Sequence, residues 1–337
     1  MEKFLLTQVW NSTIEKNDKA LEPRSRVYAS ELGGAMIDRY LKMKAEPYTN
    51  PPNSRSMRKF MAGDIWEWIV QTVLVRAGIK FRTQERVLVV YPGLLPISGR
   101  LDFIITGETD FENVVVDETM PPFMQKLTQS IIDNFRGKVF EETILEVKSV
   151  GSFVFESLLA TDNPKTHHML QAAVYKKATG LPASVVYVCR DDVRVLQYAI
   201  DTVFEDLEQM IIDDLKLITK YHNEDVEPEK EKLILWDSLA EKFTKNWKVE
   251  YSPYLTKLYS RKKNEDDKEE TPFEFPDEYS EWVTPIVSGL NRVVKRIKEG
   301  KEMTKSNEEW LEKSKEYGYP IDTLNITKIV VEQNANI

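Results

Sequence analysis

Three short segments of this chain carry charged or polar side chains at spacings able to do chemistry. In Gly99-Arg100-Leu101-Asp102 a carboxylate stands at the end of a turn and inside a β-type run. In Ile144-Leu145-Glu146-Val147-Lys148 two charged residues interrupt an apolar run. Strand alternation puts Glu146 and Lys148 on one face and Val147 on the other. In Gln171-Ala172-Ala173-Val174-Tyr175 the i,i+4 spacing of a helix stacks an amide and a phenol on one side. Each segment alone says little; Glu299-Gly300-Lys301 repeats the Glu-x-Lys spacing in a polar context to which no role is given. The context of the set says more, because a carboxylate on one strand precedes a Glu and a Lys sharing a face of the next. Burying such charges is costly unless they are paired or hold a metal ion. The plainer alternative is a half-exposed strand with a surface Glu–Lys pair and a helix whose Gln and Tyr are only interfacial.

The elements that would position these residues can be read from the periodicity. Leu32, Met36, Ile37, Tyr40 and Leu41 recur with helical spacing over Tyr28 to Lys44, and Asn50-Pro51-Pro52-Asn53-Ser54 reads as a loop. A long helix is expected over Met57 to Arg76, with Phe60, Ile65, Trp68, Ile69, Thr72 and Val73 as its apolar side and Ala77-Gly78 as its end. The pattern then changes to strands: Arg86 to Tyr91, Ile97 to Thr106, and Val114 to Val116. A helix over Phe123 to Phe135 precedes the strand Thr143 to Val150. A helix over Lys165 to Thr179 then leads to strands at Ser184 to Arg190 and Arg194 to Ile200. This order implies one α/β unit with a mixed sheet. Beyond Asp201 the pattern is helical and highly charged, and Arg261 to Glu270 is a charge run with no apolar residue, read as a linker or loop.

The bulk properties set limits. The 337 residues are 42% hydrophobic and 30% charged, the composition of a globular protein, with a formal net charge of -9. An acidic chain is a poor prior for nucleic-acid binding, since Lys and Arg supply much of that affinity, unless basic residues concentrate in one groove. The single cysteine, Cys189, excludes an internal disulfide, a zinc finger and a cysteine-held cluster, and it reads as a small buried residue on a strand. No apolar stretch approaches the ~20 residues of a membrane span, and Met1 to Leu6 is too short for a signal peptide. The expectation is a cytoplasmic setting.

Gly99-x-x-Asp102, Glu146-x-Lys148 and Gln171-x-x-x-Tyr175, in this order on these elements, resemble the signature of the RecB-like branch of the PD-(D/E)xK nucleases. That branch includes phage exonucleases and CRISPR-associated exonucleases. The resemblance covers about Tyr28 to Ile200. It implies an α/β restriction-endonuclease-like core, a mixed sheet flanked by helices. Asp102, Glu146 and the Val147 carbonyl would hold Mg²⁺ or Mn²⁺, hard cations that prefer oxygen ligands. Lys148 would position the attacking water or stabilise developing charge, and Gln171 and Tyr175 would orient the DNA backbone or the catalytic strands. Gly63-Asp64-Ile65-Trp66-Glu67 resembles the family's Gly-x-x-x-His segment, with Glu67 where histidine often stands, so Glu67 is a further candidate metal ligand. His167 and His168, just before Gln171, are candidates for phosphate contact or for a capping role.

The chain departs from the family in three ways. Leu101 replaces the proline of the superfamily name, as is common in this branch. The cysteines that hold an iron–sulfur cluster in many cellular members have no counterpart, so no such cluster is expected. Asp102 and Glu146 are also far apart for a hairpin, which marks about 118–142 as an insertion and suits a phage-borne or mobile-element protein. The expected organisation is an N-terminal helical segment over 1–56, a nuclease core over 57–200 and a mainly helical region over 201–337 with the charged linker at 261–270. The implied activity is metal-dependent hydrolysis of DNA, as an exonuclease on ends or single strands. The alternatives are an endonuclease or nickase on the same core, or a non-catalytic DNA-binding protein. In the last third, Trp247, Tyr251, Tyr254 and Tyr259 among Lys245, Lys248, Lys257 and Arg261 read either as a base-stacking surface or as an aromatic core with a basic rim.

Overall fold

The computed structural model describes residues 21–109, 116, 118–135, 137–237, 240–261 and 269–316. The chain is mixed α/β and divides into two compact units. One comprises Met1–Gly34, Arg39–Glu46 and Pro52–Glu227, the other Ala35–Asp38, Pro47–Pro51 and Pro228–Ile337. Val114 and Val115 of the expected strand Val114 to Val116, Arg136 and most of the 261–270 charge run lie outside the described residues.

Up to Glu227 the chain runs β1 (Val27–Tyr28), α1 (Met36–Met43), α2 (Ser54–Arg76), β2 (Ile79–Thr83), β3 (Arg86–Val89), β4 (Ile97–Arg100) and β5 (Phe103–Thr109). It continues through α3 (Pro122–Phe135), β6 (Thr143–Val150), α4 (Ser152–Thr161), α5 (Thr166–Thr179), β7 (Ala183–Cys189), β8 (Val195–Ala199) and α6 (Phe204–Glu224). A mixed five-stranded sheet of order β2-β5-β6-β7-β8 forms the centre. Only β6 and β7 are parallel, and the α4–α5 crossover supplies the long connection that a parallel pair requires. β7 is buried along its whole length and makes the floor of the core. A second, three-stranded sheet has the order β1-β4-β3, with β1 parallel and β3 antiparallel to β4.

Several expectations changed on folding. Ile97 to Thr106 reads as one strand but is two, in different sheets. The break is fixed by hydrogen bonds from Leu101 N–H to the Glu85 carbonyl and from Gln84 N–H to the Asp102 carbonyl, so the chain changes sheets at Asp102. The helix expected from Tyr28 begins only at Met36, after a 3₁₀ turn at Ala29–Glu31. Helix α2 forms where expected, yet Phe60, Ile65, Trp68 and Val73 of its apolar side are exposed. β2 was not foreseen although Ile79-Lys80-Phe81-Arg82 alternates, being only five residues long beside the end of α2, and neither was α4, a short run of mainly apolar residues with no clear period. α6 buries Leu207, Ile211, Leu215 and Ile218 and packs along α5, and one of the boundaries between the units falls at 227/228 rather than near 200.

The second unit contains an antiparallel hairpin, β9 (Ile234–Asp237) with β10 (Lys242–Lys245), and the helices α7 (Pro276–Lys298) and α8 (Lys305–Glu316). Val283, Ile286, Leu290, Val293 and Val294 of α7 bury against Phe243, Phe273 and Leu311. Gly289 admits the Trp310 ring, since a Cβ there would fall 2.2 Å from it. Tyr254 and Tyr259 belong to the interior, whereas Trp247 and Tyr251 are exposed.

Candidate active site

The first unit carries a cleft of about 800 Å³ whose lining includes Glu67, Asp102, Glu146, Val147, Lys148, Gln171 and Tyr175. All seven residues singled out from the sequence therefore meet in one place. Five basic side chains, Arg26, Lys59, Arg86, Arg100 and Lys148, line the same cleft beside four acidic ones, so the acidity of the chain as a whole is not repeated here.

β6 does what its alternation requires. Glu146 and Lys148 emerge on one face, and Lys148 Nζ donates to Glu146 Oε1 at 2.5 Å. Glu146 is 1% exposed. Its second oxygen, Oε2, is buried with no N–H or hydroxyl directed at it among the described residues, and the protonated Asp102 carboxyl is the neighbouring acid that hydrogen-bonds Glu146. Pairing between β5 and β6 stops at Phe103–Leu145, so the edge of β6 beyond it is open to side chains. Asp102 occupies that edge, its Oδ2 accepting the Val147 N–H at 2.8 Å.

The electrostatics follow from burial. Desolvation, with the Glu146 charge added to it, pushes the Asp102 carboxyl up to about 7 against the pull of Lys148 and the Val147 N–H. Burial also raises Glu146, opposed by the ammonium of Lys148. Burial works to lower Lys148, but Glu146, Asp102 and Glu67 outweigh it and hold the ammonium above its ordinary value. Glu67, on α2, is raised first by desolvation and then by the Asp102 charge, while the hydrogen bond it accepts from Gln84 Nε2 acts the other way. Two carboxyls and an amine thus share one poorly hydrated space, and the loss of one proton there is finely balanced.

Behind these groups, Gln171 Nε2 donates to Tyr175 Oη at 2.9 Å, and Tyr175 Oη donates to the Arg100 carbonyl at 3.0 Å. The phenol is buried, which raises its pKa strongly. Gly99 makes room for the ring: a Cβ there would lie 2.6 Å from Tyr175 Cε1. The glycine of the first motif and the tyrosine of the third therefore explain each other sterically, and together they fix the end of β4 just before Asp102.

Neither histidine lines the cleft. His168 Nδ1 lies 3.0 Å from Tyr187 Oη, and burial, with the neighbouring charges of His167, Lys148 and Lys165, lowers it to about 2. Half-buried, it favours the neutral imidazole. Among the described residues, no three His, Cys, Asp or Glu side chains already converge as a metal cage. Sequence reasoning overlooked Gln84, whose left-handed backbone (φ 58°) lets its N–H reach the Asp102 carbonyl while its side chain holds Glu67. It also overlooked Tyr28, Ser98 and Arg86 and gave the Arg100 side chain no role, since their convergence depends on the β1-β4-β3 register.

No family model matches the chain, and no curated protein matches it. Solved structures that resemble it include SSO0001, with 16% identity and a TM-score of 0.40, covering 63% of this chain and 86% of that one. They also include LHK-Exo, an alkaline exonuclease from Laribacter hongkongensis, with 13% identity and a TM-score of 0.33, covering 64% of this chain and 95% of that one. LHK-Exo in complex with dAMP matches at 13% identity with a TM-score of 0.37, covering 59% of this chain and 91% of that one. At these values the likeness is remote, and activity has to be read from the site itself.

Proposed function

We propose that this chain is a metal-dependent nuclease with a RecB-like PD-(D/E)xK core, hydrolysing DNA phosphodiester bonds as an exonuclease on ends or single strands. The observation that carries this reading is the trio on the cleft floor: Glu146 paired with Lys148, and Asp102 bound to the Val147 N–H between them. A stabilising ion pair needs no second carboxyl, and Glu146 Oε2, buried with no N–H or hydroxyl on it, costs stability unless the Asp102 proton or a cation meets it.

The donor set suits Mg²⁺ or Mn²⁺. Asp102 and Glu146 offer carboxylate oxygens. The N–H and C=O of one strand residue leave on the same edge, so the Val147 carbonyl projects toward the edge that Asp102 occupies. Glu67 is the further ligand in this reading, reached by giving up Gln84. Such a cation, when bound, polarises the scissile phosphate and lowers the pKa of an attacking water. The chain's own part is distinct. Lys148 keeps its proton and presents an ammonium to that water or to the charge developing on phosphate. Asp102 and Glu146 stay ionised only when that charge is balanced. Gln171 and Tyr175 are positioning residues, holding the end of β4 and with it Asp102.

Incubating end-labelled linear and closed circular DNA, single- and double-stranded, with Mg²⁺, Mn²⁺ or EDTA tests the reading. Metal-dependent loss of linear DNA alone, abolished in Asp102→Ala and Lys148→Ala, is the expected result. Cutting of circles would replace exonuclease by endonuclease. Cleavage that survives both substitutions, or no cleavage at all, would sink the assignment.

A further inference from the structure

We propose that one face of the β1-β4-β3 sheet is a seat for a single nucleic-acid strand, with a backbone phosphate on Arg86 and Arg100 and the adjoining base on Tyr28. This rests on the nucleic-acid reading above but not on catalysis.

Arg86 and Arg100 are directly opposite each other in the β3–β4 register. Like charges placed so repel, and a sheet ordinarily avoids or neutralises them. Both are exposed, and among the described residues neither has a hydrogen-bonded or ion-paired carboxylate on its side chain. Glu67 feels the charge of Arg100 but is hydrogen-bonded by Gln84. On the same face, Leu88 pairs with Ser98, and Ser98 pairs with Tyr28 across the parallel β1–β4 register. Ser98 Oγ is buried and has no hydrogen-bond partner among the described residues. Two guanidinium groups thus line one wall of the cleft that contains Asp102, Glu146 and Lys148. An anion with several acceptor oxygens satisfies both, and planar guanidinium forks match a phosphate.

Tyr28 adds the base. The Arg24 guanidinium sits 4.0 Å from its ring centroid, and Arg24 is itself held by both oxygens of Glu31 at 2.7 Å. Glu31 also accepts the Tyr28 N–H at 3.4 Å. The ring is therefore fixed before anything binds, yet Tyr28 remains 38% exposed at the cleft. A fixed aromatic ring beside a phosphate seat suits an unstacked base and not a paired one, so the seat selects a single strand.

The test is binding of a labelled oligothymidine and of a duplex, in EDTA, across a salt series. The wild-type protein is expected to prefer the single strand. The double variant R86Q/R100Q should bind it at least about tenfold more weakly, with the log–log salt slope reduced by about one, as loss of a phosphate contact requires. Tyr28→Leu should weaken single-strand binding about tenfold and leave the salt slope unchanged. R86Q/R100Q should melt no lower than wild type, because the change relieves repulsion, and Lys295→Gln in the second unit should bind as wild type does. An unchanged slope in R86Q/R100Q, a fall in its melting temperature with binding intact, or no wild-type binding to any strand would overturn the seat. Failure of the nuclease reading has a separate signature: strand binding that depends on Arg86 and Arg100 in a protein that cuts nothing with any metal.

Discussion

β6 and β7 lie side by side in register, seven residue pairs long, and nearly every physical property separates them. β7 is Ala-Ser-Val-Val-Tyr-Val-Cys, buried throughout, with neighbours on both edges and helices against it. β6 gives half of its length to the same core through Ile144. Past Leu145 it loses β5, and there Glu146 and Lys148 face a cleft where β7 carries Val185 and Tyr187. Burying Glu146 opposes folding, as its raised pKa records, and Lys148 offsets only part of that. The difference teaches that the charged half of β6 is not what holds the sheet together. β7 does that, and β6 is left free to carry groups that are useful rather than stable.

The largest effect expected from breaking this contrast is on β7. Val185 is the in-register neighbour of Glu146, and Val185→Asp would put a further carboxylate into a site with no solvent, where the Lys148 ammonium is already engaged by Glu146. A cost of more than about 5 kcal/mol is expected, enough to unfold the protein, and urea denaturation checks it. The converse change on β6, Lys148→Ala, leaves Glu146 buried without its ammonium, so a loss of about 3 kcal/mol is expected, with cleavage lowered about 10²–10⁴-fold in the folded protein. Gly99→Ala should cost about 1–3 kcal/mol, because its Cβ meets the Tyr175 ring at 2.6 Å, and cleavage should fall with it as Asp102 shifts.

The smallest effect is in the pH dependence. The folded-state value of Asp102, about 7, lies above its ordinary 3.8, so the native state favours the protonated acid. The associated stability is full below about pH 4 and is lost as pH rises through 7. In EDTA, Asp102→Asn should therefore match wild type near pH 4 and exceed it at pH 8 by about 1–2 kcal/mol, a figure reduced from the full shift because Asp102 is partly hydrated. Melting curves across that pH range check the sign: wild type gaining on the variant as pH rises would contradict it.

Much of this site was legible before folding, because period and chemistry agreed there. Thr143–Val150 alternates so clearly that β6 has the bounds its sequence suggests, and the shared face of Glu146 and Lys148 follows from that alone. The i,i+4 spacing of Gln171 and Tyr175 gave their mutual contact, though not the Arg100 carbonyl beyond it. What could not be read depended on pairings between distant segments. Nothing local to Arg86 says that Arg100 lies opposite, and nothing near Ile97 says that the run changes sheets at Asp102. Phe60 and Trp68 carry the spacing of a buried helical face yet are exposed, and none of the α2 side chains described is buried. The β9–β10 hairpin hid inside a region whose composition reads as helical.

The central claim is that the charged half of β6 exists to hold a divalent cation with Asp102. The most direct test is calorimetric titration of Mn²⁺ into wild type and Asp102→Asn at pH 7, in two buffers of different ionisation enthalpy. The account predicts saturable binding by wild type, accompanied by release of part of a proton as Asp102 ionises, and loss of that binding in the folded variant. Equal binding by both proteins, or none by wild type, would contradict it.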